Sequence, residues 1–237
     1  MLRFIQMEFF KIKSSRTFII TIIGALLMPI LNTIITIFYK GGNVIETMNG
    51  DINTYLTLFS IIFGAAIINY LFTIDIETRT LKSIIPLPVS RMEYIIGKLI
   101  TLLIWMIILV LITMLTATIL YPLVGMSGFD INLILQTTGK FLLGTLILFL
   151  TLIPLVFVII ATKNHSATLV LAVLFIFANI SIPFYKNAEY IPWNIPAPLA
   201  TNTLTFSPTI AWTIVILTGL IGFILVKIWI NKKDIPL

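Results

Sequence analysis

Charge is spread along this chain so unevenly that few folds remain open to it. The 237 residues include nine Asp or Glu and fifteen Lys or Arg. Six apolar runs, at roughly 17–38, 54–74, 99–121, 141–162, 167–185 and 209–230, contain no acid, and the one base within them is Lys227 near the end of the last. A helix rises about 1.5 Å per residue and needs about 20 apolar residues to cross the hydrocarbon core. Each run is therefore long enough for one crossing. The expected fold is an all-α membrane protein with six transmembrane helices, in a single transmembrane domain over residues 1–237.

Composition narrows the chemistry. Hydrophobic residues make up 59 % of the chain and charged ones 10 %, against about 25 % charged in soluble domains. Cysteine is absent, which excludes disulfides, thiolate metal sites and a cysteine nucleophile. His165 is the single histidine and cannot build a metal centre alone. The basic N-terminal stretch (Arg3, Lys11, Lys13, Arg16) precedes an apolar run too long for a signal peptide, with no small-residue cleavage site after it. It reads as a retained first span.

Orientation follows from the bases. With the N-terminus inside, twelve Lys or Arg fall in cytoplasmic segments, and Lys40, Lys140 and Lys186 fall outside. Cytoplasmic loops of membrane proteins carry such an excess, so both termini are expected in the cytoplasm. The net charge of +6 then sits at membrane edges, where it meets lipid headgroups rather than nucleic acid.

Ahead of the first span, Met1, Leu2, Ile5, Phe9 and Ile12 recur at helical spacing, which predicts an interfacial elbow helix over 1–16. That helix can rest on the membrane, bear on a partner subunit, or do both. Pro29 and Pro154 fall near mid-span and predict kinks, since proline lacks the amide hydrogen a helix interior uses. Ser60 and Gly64 form a small-xxx-small pair suited to close helix approach. Asn32, Asn69 and Asn179 are the strongest polar groups within spans, and each needs a partner away from lipid. Interhelical hydrogen bonding satisfies that need, and so does a place along a substrate path. The Pro- and aromatic-rich segment 186–208 predicts short helices in the outer interface.

The most informative loop runs from Asp75 to Lys98. Ile74, Leu81, Ile84 and Ile85 recur at helical spacing, with Glu77, Arg79 and Lys82 elsewhere on the helix. Pro86 and Pro88 stop it. Ser90 and Glu93 make a capping box, and Val89 with Tyr94 a hydrophobic staple, for a helix continuing into the third span. A helix lying on the membrane face, a stiff double-proline turn and a capped re-entry suit a platform that receives force. An interfacial helix with no partner would look similar.

The run Glu77-Thr78-Arg79-Thr80-Leu81-Lys82, then Pro88-Val89-Ser90-Arg91 and Gly97-Lys98, resembles the segment after span two in type-2 ABC exporter permeases. Those often read E-x-G-T-L-K, a P-x-S-R-like turn and G-K-L; Arg79 stands where they usually have glycine. The resemblance extends to the elbow, the six-span order and the outer segment before span six. It implies that this segment holds a coupling helix docking on an ATPase, with Asp75, Glu77, Arg79, Leu81, Lys82, Pro88, Ser90, Arg91 and Glu93 as its coupling residues. The short turn at Lys163–Ser166 would be a second contact. It also implies a bacterial cell membrane, and a cargo class like that of the small bacitracin- and lantibiotic-immunity permeases: an amphipathic or apolar cargo, either an antimicrobial or toxic peptide or a drug.

The alternatives leave different marks. An ion-coupled carrier usually keeps an acid, Lys or His inside a span, and no acid or His lies within these six runs. An intramembrane enzyme would need a motif such as H-E-x-x-H, and a potassium channel a filter run such as TVGYG; neither occurs. A scaffold without transport leaves no mark. The phosphate-cradling G-x-x-x-x-G-K-[ST] is also absent, so the chain is expected to be non-enzymatic and to carry no cofactor. ATP would be bound by partner ATPase subunits, two copies, working with a second permease chain, identical or related.

Overall fold

The computed structural model describes residues 2–13, 15–39, 42–77, 91–162, 164–180 and 188–232. The major helices are α1 (Leu2–Lys13), α2 (Arg16–Tyr39), α3 (Val44–Thr54), α4 (Ser60–Glu77), α5 (Arg91–Leu123), α6 (Ile131–Thr162), α7 (His165–Ile180), α8 (Pro196–Thr201) and α9 (Pro208–Lys232). No strand occurs among the described residues. A π-turn over Tyr55–Phe59 joins α3 to α4 without a break, so a single helical span runs from Val44 to Ile74.

Five helices are long and apolar enough to cross a membrane: Arg16–Tyr39, Val44–Ile74, Met92–Leu123, Ile131–Thr162 and Pro208–Ile230. The fifth expected span corresponds to the shorter apolar helix Ser166–Ile180, and the rest of that run, 181–185, lies outside the described residues. The second span also begins at Val44, not near residue 54. Asn43 accepts from the amides of Ile45 and Glu46 and so caps it. Val44, Met48 and Ile52 then bury one face, carrying the helix past the apolar run.

That extension changes one expectation outright. The spans were read as free of acids, yet Asp51 lies within the Val44–Ile74 helix and is fully buried. Its side chain is stabilised by neutral donors from two other helices, described below.

The prolines expected to kink spans one and four lie inside α2 and α6. Pro29 deprives the Ala25 carbonyl of its helical partner. The Thr113 hydroxyl of α5 lies 3.1 Å from that oxygen and 2.9 Å from its own Leu109 carbonyl, sharing one proton between them. Pro154 meets α9 instead: a Cβ on Gly222 would fall 2.7 Å from the Pro154 nitrogen. Gly219 likewise faces Leu150, and Trp229 packs edge-on to Phe157. Successive residues of α9 thus meet successive residues of α6, so the two helices are parallel. Chain between Thr162 and Pro208 must therefore return across the bundle, and α7 covers about 24 Å of that path.

α4, α5 and α6 carry most of the core, with Trp105, Tyr121, Phe141 and Leu152 among its buried side chains. Gly64 abuts Leu152 of α6, where an added Cβ would come within 2.5 Å of that side chain. α2 and α9 are peripheral and keep large apolar side chains such as Ile19, Ile35, Leu217 and Leu220 exposed.

Candidate functional site

Helices α4 and α5 end and begin on either side of residues 78–90, at the face where α1 lies. α1 spans the space between those ends. Phe4, Glu8 and Ile12, spaced by one turn each, are its buried line, while Met7 and Phe10 are exposed. Phe4 rests beside Tyr94, with ring centroids 5.7 Å apart. Gly97 admits this approach, because a Cβ there would fall 2.5 Å from the Phe4 ring.

A carboxylate on the buried line needs hydrogen-bonding or charged partners. Glu8 has two: Lys98 from α5 at 3.1 Å and Lys11 from its own helix at 2.6 Å. Glu8 and Lys98 are both completely buried. Lys98 Nζ also donates to the Leu71 carbonyl of α4 and sits 4.8 Å from the Tyr94 ring centroid and 5.5 Å from that of Phe72. Such contacts favour a desolvated cation. The Tyr70 hydroxyl donates to the Lys11 carbonyl at 2.6 Å. Further along, Trp105 of α5 stacks on Phe18 of α2, meets Phe9 of α1 edge-on and donates from Nε1 to Thr21. α1 is therefore bolted to α2, α4 and α5 together.

At the opposite end of the bundle, Asp51 takes a hydrogen bond from Asn32 Nδ2 of α2 at 2.5 Å and another from the Tyr121 hydroxyl of α5. The acid lies about 10 Å from the start of its helix. Three helices thus converge on one carboxylate. The loops beyond it pair at Gly42 to Val44 and Ser127 through backbone bonds of 2.9 and 3.0 Å.

The residues predicted from sequence are distributed as follows. Arg79, Leu81, Lys82, Pro88 and Ser90 lie outside the described residues, as do the double-proline turn, the capping box and staple in which Ser90 and Val89 take part, and Lys163. Asp75 and Glu77 lie in the last turn of α4, and Arg91 and Glu93 in the first turn of α5. These four bracket the predicted coupling segment. Asn32 bonds Asp51; Asn179 Nδ2 donates to the Thr57 carbonyl in the π-turn at 2.8 Å; Asn69 is buried in α4. The asparagines are dispersed along the bundle rather than gathered at one site.

Sequence reasoning missed Glu8, Lys98 and Asp51 as site residues. Glu8 had a usable signal: it falls between Ile5 and Ile12 on the face expected to be apolar. Asp51 had one as well, since Val44, Met48, Ile52 and Tyr55 repeat at helical spacing through the assigned loop.

A bundle of membrane-length helices with these features is a multi-pass membrane protein. The chain belongs to the ABC-2 family transporter proteins, whose family pattern matches residues 4–179, from α1 through nearly all of α7. It is also 28 % identical over 189 residues to the bacitracin transport permease protein BCRB of Bacillus licheniformis, covering 78 % of this chain and 90 % of that protein. It is a permease subunit of an ABC exporter, of a family that works with ATPase subunits.

Proposed function

We propose that this chain is the non-catalytic membrane half of an exporter that moves an amphipathic or apolar peptide of the bacitracin kind out of the cytoplasm or inner leaflet. Two permease chains, identical or related, pair with two ATPase subunits that bind the ATP. The α1 face is cytoplasmic, a reading that the distribution of Lys and Arg supports, and the chain crosses six times. The parallel packing of α6 and α9 supports that count, because it demands a return crossing through α7.

Residues 75–98 receive the force. Closure of the ATPase pair displaces this segment through Asp75, Glu77, Arg79, Leu81, Lys82, Pro88, Ser90, Arg91 and Glu93. Its motion passes into α4 and α5, and the bundles rearrange around the cargo. Asn32, Asn69 and Asn179 are the polar groups that parting helices would turn toward a path. Cargo held by packing rather than ion pairing suits the largely uncharged crossing helices.

The observation that carries this reading is the family match over α1 to α7, on a fold in which two membrane-length helices flank residues 78–90. Affinity purification of the tagged chain from its native membrane should recover an ATPase in equal amount. Glu77→Ala and Arg91→Ala should leave membrane insertion intact and abolish ATP-driven peptide export. Unchanged export in both variants would remove the coupling assignment.

A further inference from the structure

We infer that Glu8 is a positioning residue for transport: through Lys98 it locks α1 to both helix ends that flank residues 78–90, so that the three move as one body. The inference rests on the transporter reading above and adds to it the element that the force must also carry.

Four observations converge. The Glu8–Lys98 pair is fully buried, with oxygen and nitrogen 3.1 Å apart. Lys98 is itself the junction of α5 with α4, through the Leu71 carbonyl and the Phe72 ring. Phe4 against Gly97 and the Tyr70 hydroxyl on the Lys11 carbonyl fasten the same helix to the same two neighbours. Residues 78–90 join exactly the two helices so fastened. Burying two opposite charges contributes little net stability compared with apolar packing. What the pair does provide is direction, since the partners cannot separate without leaving charge in a dry site. A helix held in that way cannot stay behind when α4 and α5 shift.

The test uses the whole complex, permease with its ATPase, in proteoliposomes containing bacitracin as probe. Glu8→Gln alone strands Lys98 as a buried cation and can unfold the chain, so the informative variant is the doubly neutral Glu8→Gln, Lys98→Met. A merely structural pair predicts that this variant recovers both assembly and transport. The inference predicts normal assembly and ATP hydrolysis, with bacitracin moved per ATP lowered at least tenfold. A ratio within twofold of the unaltered complex would overturn it.

A second measurement does not depend on cargo. The chain has no cysteine, so spin labels at Gln6→Cys on α1 and Met92→Cys on α5 report one distance. With Glu8 and Lys98 in place, that distance should be the same with and without ATP plus vanadate, while the doubly neutral variant should show a change. A nucleotide-dependent distance with the pair intact would sink the inference. Failure of the unaltered complex to move bacitracin, with the distance constant, would count against the proposed cargo alone.

Discussion

The two ends of the bundle bury charge in opposite ways. At the α1 face a carboxylate meets two ammonium groups, and the buried one belongs to a different helix. At the far end a lone carboxylate is held by an amide and a phenol, with no cation among the contacts described for it. An ion pair is intolerant of separation, because each partner alone is costly to bury. A carboxylate with two neutral donors can lose one and keep the other. The first arrangement therefore suits elements that must travel together, and the second suits helices that part and rejoin.

Substitutions can break that comparison. The largest loss should follow Glu8→Ala, which strands Lys98 as a buried cation and should cost about 3–5 kcal/mol. Thermal unfolding of the purified chain in detergent measures it, and a loss below that of any far-end variant would erase the distinction. Tyr121→Phe should cost less, about 1–3 kcal/mol, because Asn32 still serves the carboxylate. The same melts, read beside those of Glu8→Ala, give the ratio between the two ends. Thr113→Val is the uncharged reference between them. It removes the hydroxyl at the Ala25 carbonyl freed by Pro29 and should cost about 1 kcal/mol. A loss at Thr113 equal to that at Glu8 would mean that charge has no special role at the α1 face.

Much of this architecture is written in hydropathy. Five of the six apolar runs appear as membrane-length helices, and the sixth as the shorter α7. Helix ends were harder to read, because packing rather than apolarity decides them. Val44 to Thr54 is helical since Val44, Met48 and Ile52 have a core to face, although Glu46 and Asp51 break the apolar run. The same blind spot hid the buried acids. Asp51 falls outside the apolar run that marks the second span and Glu8 in a helix read by its apolar stripe, and the fully buried donor to each comes from a residue 70 or 90 positions away. Partners at that separation have no local signature. Asn32 shows the converse: the need for a partner was legible, its identity was not.

An acid within the second span also removes one argument against an ion-coupled carrier, leaving the family assignment to separate the two. Transport by the purified chain settles the matter most directly. Proteoliposomes holding the permease alone under a proton or sodium gradient should move no bacitracin, and those holding permease, ATPase and ATP should move it. Gradient-driven movement by the permease alone would contradict the account.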